Sequence, residues 1–210
     1  MAQCASPSKV PKTYTSFITK SCMNTTYPPL CVKILTPYAP SVGTKPLNLC
    51  NAALTAAILA ANNASATVLK IAKQNGLALY DAKAIKDCIG DIKDTVYELK
   101  LTLNAMGHLN DPDKEFQWAN AKTWASAAIT DMDSCMDGLT GRKVNPVVKK
   151  KIRSSITGVQ KLISNAFTIV LHQFSGYYVG MGLYMKEKCT SKAEVVVVVV
   201  AVCVEGGGLE

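Results

Sequence analysis

Apolar residues recur every three or four positions along four long stretches of this chain, the spacing of one buried helix face. The first stretch, about 45–75, puts Leu47, Leu54, Ile58, Ala61, Val68 and Ala72 on one stripe, with Thr44 as cap, Pro46 in the first turn and Gly76 at the stop. The second, about 81–106, starts at Asp81 as cap and carries Ile85, Cys88, Ile92, Val96, Leu99, Leu103 and Met106. The third runs from Asp111-Pro112 to Gly141 through Ala121, Trp124, Ala128, Met132, Cys135 and Leu139. The fourth opens at Asn145-Pro146 and carries Val148, Ile152, Ile156, Val159, Ile163, Ala166 and Val170, before Gly176, Gly180 and Gly182 interrupt it. Four amphipathic helices joined by short loops predict an all-α, antiparallel up-down-up-down four-helix bundle.

Ahead of the bundle, SFITKSCMNTTYPPLCVKIL reads as two short helices turning back on each other at Thr26-Tyr27-Pro28-Pro29, with Cys22 and Cys31 flanking the turn. The expected organisation is a flexible N-terminus over 1–13, an α-hairpin over 14–40, the bundle over 41–176 and a C-terminal tail over 177–210. In that tail Val195 to Val204 forms an apolar run too short to span a bilayer, and the final Gly-Gly-Gly-Leu-Glu reads as an added linker. Cys88 and Cys135 fall on the seams of neighbouring helices, where they can bond or remain two buried thiols. In the loop-closure account a Cys88–Cys135 bridge contributes about 4 kcal/mol and a Cys22–Cys31 bridge roughly 2.7 kcal/mol.

The chain has 210 residues, a net charge of +8 and 18% charged residues, which suits one folded domain with appendages. The excess charge favours an acidic partner, yet no aromatic residues interleave with Lys149-Lys150-Lys151-Ile152-Arg153, so a nucleic-acid platform is not supported. None of the eight cysteines forms a metal-type pair, and no metal or cofactor is expected. The two histidines, His108 and His172, belong to no catalytic motif, and no phosphate loop or nucleophile elbow is present. Asp87, Asp91 and Asp94 share one outer helix face, either solvated or a docking surface. The triplets at Asn24 and Asn63 are candidate glycosylation sites. The start, Met1-Ala2-Gln3-Cys4, has neither a basic nor an apolar leader, and the expectation is a secreted protein whose leader has been removed. These features favour a stapled binding protein over an enzyme.

Four motifs in order, TYPPLC, KDCIGDIKDTVYEL, WASAAITDMDSCMDGL and LISNAFTIVL, closely resemble the plant invertase and pectin methylesterase inhibitor family over about residues 15–176. The resemblance implies a hairpin closed by Cys22–Cys31 and a bundle whose second and third helices are joined by Cys88–Cys135. It also implies a secreted, non-covalent inhibitor of the apoplast or cell wall that blocks the substrate cleft of a plant pectin methylesterase. In that family helix two offers acids two, six and nine positions after its cysteine, where this chain has Gly90, Asp94 and Tyr97, so only Asp94 matches. Ser134 and Asp137 match on helix three, with Lys93 and Thr130 as nearby exposed candidates. Gly90 weakens the centre of helix two by about 1 kcal/mol relative to Ala. The alternative target implied is an acid invertase, contacted through a Pro-Lys-Phe loop between the same helices. Here Pro112, Lys114 and Phe116 are interleaved with Asp113 and Glu115. A third expectation is a non-inhibitory bundle that binds acidic pectin through its positive charge.

Overall fold

Two short helices open the fold, α1 at Lys12–Cys22 and α2 at Pro28–Leu35. Pro28 and Pro29 lie in the first turn of α2, where a missing N–H costs no hydrogen bond. A single 3₁₀ turn at Thr36–Tyr38 and one helical turn, α3 at Ala39–Val42, lead into the bundle. Gly43 adopts φ +58°, a conformation open to glycine without a Cβ penalty, and redirects the chain there. The bundle helices follow: α4 Pro46–Ala72, α5 Leu79–Gly107, α6 Lys114–Gly138 and α7 Pro146–Lys188. This computed structural model describes residues 10–140 and 143–188, with side chains to position 172, and contains no strand among the described residues. The all-α fold expected from periodicity is the one observed.

α4 is the most apolar element of the bundle. Ala52, Ala53, Ala56, Ala57, Ala61 and Ala64 are buried between the larger Leu49, Leu54 and Val68, so small side chains let its neighbours approach closely. By length and composition alone it could cross a membrane, but its buried stripe belongs to the bundle core. α5 lies against both α4 and α6. Ala53 and Ala56 of α4 line a crevice with Leu162, Ala166 and Ile169 of α7, while Ala60 and Ala64 meet Val159 and Leu162. The numbering rises on one helix as it falls on the other, which makes α4 and α7 antiparallel.

Several local expectations shift. α5 begins at Leu79, so Asp81 is not its cap; it is buried, and its Oδ1 accepts the Asn145 backbone N–H at 2.7 Å. One carboxylate thereby ties the start of α5 to the start of α7, where a negative group also suits the helix dipole. α6 begins at Lys114 with Asp113 at the cap position, because Asp111 is occupied by His108, 2.7 Å away. Thr44 is not a cap either: Lys45 precedes α4 and no side-chain cap bond forms. Asn145 does cap α7, accepting the Val147 N–H at 2.8 Å.

The α7 stripe from Val148 to Val170 is buried at every expected position, whereas α5 and α6 differ in detail. Thr95 and Thr102 replace Val96 and Leu103 in the seam, and Trp118 rather than Trp124 is fully buried. The threonines are tolerated because their hydroxyls donate to the carbonyls of Asp91 and Glu98 one turn back, each at 2.9 Å. On α4, Leu47 and Ile58 are only half-buried and Ala72 is exposed. α7 does not stop at Gly176 but continues to Lys188, since a glycine costs a helix only about 1 kcal/mol. Residues 1–173 group as one unit and 174–210 as another. Cys4, Gly141, Cys189, Cys203 and the valine-rich run lie outside the described residues.

Candidate functional site

Both cysteine pairs are bonded, Cys22 to Cys31 and Cys88 to Cys135, and among the described residues Cys50 is the free cysteine. The second bridge holds α5 and α6 side by side. Their outer surfaces then form one continuous face between residues 81 and 140, a segment holding eleven Asp and Glu against six Lys.

The centre of that face is a cluster of carboxylates. Asp87, Asp91, Asp94 and Glu98 follow at four-, three- and four-residue steps along α5, and Asp131 comes across from α6. Glu98 is pushed up to about 7 by burial, by a hydrogen bond to Asp131 and by the charges of Asp131 and Asp94. Glu98 Oε2 is buried and no donor reaches it, which adds to the cost of carrying charge there. Asp91 is raised as well, by burial first and then by Asp131, Asp87 and Asp94. Among the described residues no Lys or Arg forms an ion pair with this cluster, so crowded negative charge and partial burial raise Glu98 and Asp91.

Asp94, Ser134 and Asp137 are all exposed, as are Lys93 and Thr130. Asp94 is joined electrostatically to the cluster, while Ser134 and Asp137 lie one and two turns beyond Asp131 on α6. Tyr97, in the position where an acid was sought, stands 62% exposed one turn from Asp94 and gives the acidic face an aromatic anchor. Gly90 has nothing within 4 Å of where a Cβ would lie, so the surface is open at that point. Sequence reasoning missed Glu98 and Asp131. The four acids at helical spacing were a signal for Glu98; the contribution of Asp131 requires knowing which face of α6 meets α5.

The α5–α6 connection presents a second candidate. Pro112, Lys114 and Phe116 are exposed, Phe116 by 64%, but Lys114 and Phe116 belong to the first turn of α6 and only Pro112 lies in the loop. Gln117 Nε2 donates to Asp113 Oδ2 at 2.8 Å and fixes that turn. No group of three or more His, Cys, Asp or Glu among the described residues has a metal-holding arrangement.

A stapled helical bundle with a charged outer face belongs to the class of binding proteins. Residues 16–169 match the family described as plant invertase/pectin methylesterase inhibitor, and the chain belongs to that family. It is 35% identical over 159 residues to pectinesterase inhibitor 11 of Arabidopsis thaliana, covering 74% of this chain and 79% of that one. Likewise it is 31% identical over 157 residues to the 21 kDa protein of Daucus carota, covering 73% and 81%. The fold resembles the crystal structure of a mutant form of a pectin methylesterase inhibitor from Arabidopsis, with a TM-score of 0.54 at 19% identity over 73% of this chain and 94% of that one. The family is one of inhibitors, and this chain is not an enzyme.

Proposed function

We propose that the α5–α6 face binds a plant pectin methylesterase and blocks its substrate cleft without a covalent step. The acidic cluster around Glu98 and Asp131, flanked by Asp94, Ser134, Asp137 and the exposed Tyr97, is the observation that carries this reading. A rigid face built on two long helices loses little entropy on docking, and a central aromatic ringed by polar groups is the usual make-up of a binding hot spot. Secretion to the apoplast fits two disulfides, and Asn24 and Asn63, both exposed, are the proposed glycan acceptors. Titration of a plant pectin methylesterase at about pH 5 tests the proposal. Inhibition at micromolar protein or below is expected, with Asp94→Lys weakening it about tenfold or more; no inhibition at that concentration rejects the reading.

A second reading has one observation in its favour, the exposed Phe116 near Lys114 in the first turn of α6. An acid invertase inhibited through that edge would lose inhibition on Phe116→Ala. An unchanged inhibition curve rejects it.

A further inference from the structure

Charge is sorted along this chain. Residues 1–80 contain seven lysines and no Asp or Glu, and neither α4 nor α7 as far as Lys186 contains an acid. Three-dimensionally these helices are neighbours, so the acidic α5–α6 face has an acid-free counterpart built by α4 and α7. Between them runs a shallow groove of about 370 Å³, floored by Ala60, Ala64 and Gly158 and edged by Asn63, Thr67 and Ser155. One turn further along each wall, Lys70 continues the Asn63–Thr67 stripe and Lys151 continues the Ser155 stripe, both exposed. Lys150 and Lys161 lie on the outer side of α7, about a third of a turn from the Ser155 stripe, and Lys161 is 5.2 Å from the Tyr27 ring at the hairpin turn. Among the described residues no carboxylate lies within ion-pairing distance of any of these cations.

We infer that this α4–α7 face is a docking surface for a linear polyuronate, a polysaccharide carrying one carboxylate on each sugar. The cations supply long-range attraction that a neutral polymer would not feel. The small-residue floor lets a chain approach the backbone, and the Asn, Thr and Ser edges match sugar hydroxyls. Nucleic acid fits less well: the groove lining has no aromatic ring for base stacking and no arginine. A membrane surface fits less well too, since the larger apolar side chains of the groove, Leu30, Val159 and Leu162, are buried or half-buried rather than projecting. The choice of a polyuronate rests on the proposed target, because ester hydrolysis on pectin uncovers carboxylates of this kind. A protein bound this way would gather where the enzyme has already acted, with its acidic face directed away from the polymer.

Retention of the disulfide-bonded protein on immobilised polygalacturonate, with no enzyme present, tests this. Asn63 stands at the groove edge and is a proposed glycan acceptor, so glycosylated and deglycosylated protein are loaded side by side; retention of the deglycosylated form alone overturns the inference for the secreted protein. The protein should be retained at about 0.1 M salt, elute as salt rises, and pass through the fully methyl-esterified polymer. Lys70→Gln, Lys150→Gln and Lys151→Gln together should weaken binding about a hundredfold, at about fivefold per charge. Lys86→Gln, Lys100→Gln and Lys122→Gln together remove the same charge from the other side and should change it less than about threefold. Absence of retention, equal loss in the two variants, or equal retention on the esterified polymer overturns the inference. So does tighter binding to duplex DNA or to phosphatidylserine vesicles. Pectin methylesterase inhibition by the first variant, measured separately, should stay at the level of the parent protein; failure of inhibition in both would reject the target and leave the retention result standing.

Discussion

The α1–α2 hairpin and the α5–α6 pair are both closed by a disulfide, over sequence separations of 9 and 47 residues. α1 and α2 have 11 and 8 residues, too few to hold helical shape alone in water. Their buried set is small: Ile18, Cys22, Cys31 and Leu35. The hairpin is positioned instead by Asn165 of α7, itself buried, whose Oδ1 accepts the Tyr27 N–H at 2.9 Å while its Nδ2 donates to the Tyr27 carbonyl at 3.0 Å. Ser164 adds a hydroxyl bond to Thr26 at 3.0 Å. α5 and α6, at 29 and 25 residues, meet along a full seam of Ile85, Ile92, Leu99 and Met106 against Ala121, Ala125, Ala128 and Met132. A bridge of the first kind gives a segment its shape and leaves its placement to another helix. A bridge of the second kind reinforces a placement that packing already specifies.

Removing each bridge should separate the two roles. Cys88→Ala with Cys135→Ala should lower global stability by about 4 kcal/mol, read as a fall in urea midpoint. Cys22→Ala with Cys31→Ala should cost less than about 3 kcal/mol and raise hydrogen exchange chiefly in α1 and α2. If the hairpin pair instead moved the midpoint as far as the bundle pair, the distinction would fail. Asn165→Ala is expected to cost about 1–3 kcal/mol by leaving the Tyr27 backbone groups unpaired. Faster exchange confined to the hairpin, with α5–α6 unchanged, is the signature; uniform protection in the variant would contradict the clamp.

The smallest effect concerns the acidic seam. Glu98 ordinarily titrates near 4.5 and is raised to about 7 in the fold, and Asp91 is raised too. The folded state therefore binds protons more tightly than the unfolded chain. The associated stability is present below about pH 4.5 and is lost as pH rises through about 7. Glu98→Gln should flatten the dependence of urea midpoint on pH in that window. A slope equal to that of the parent protein would mean that the raised Glu98 contributes nothing measurable.

How much of this could be read in advance depends on what each residue responds to. The α7 stripe was fully apparent because burial there follows a strict three-and-four spacing of Val, Ile and Ala. Thr95 and Thr102 were not, because a threonine that bonds its own helix backbone behaves as a core residue while looking polar in a linear pattern. Caps were the weakest point. Asp81 and Asp111 are good capping residues by type, but each bonds a partner that spacing does not reveal, Asn145 on another helix and His108 in the loop. The resemblance proposes Asp94, Ser134 and Asp137, of which the structure shows only their exposure, whereas the grouping of Glu98 with Asp131 emerges only when two helices are set side by side. The acid-free run over residues 1–80 and the Lys149–Arg153 cluster are visible in sequence, but that they adjoin follows only when α4 and α7 become neighbours.

Cys50 lies fully buried in α4, with its thiol pushed up to about 12 by desolvation. Once α4 is packed, this sulfur is both shielded and protonated, so it is a poor competitor for either disulfide during oxidative maturation. The same concealment makes it a built-in clock. A thiol-reactive dye can reach Cys50 only when the helix core opens, so the rate of labelling under native conditions counts those openings without any engineered probe.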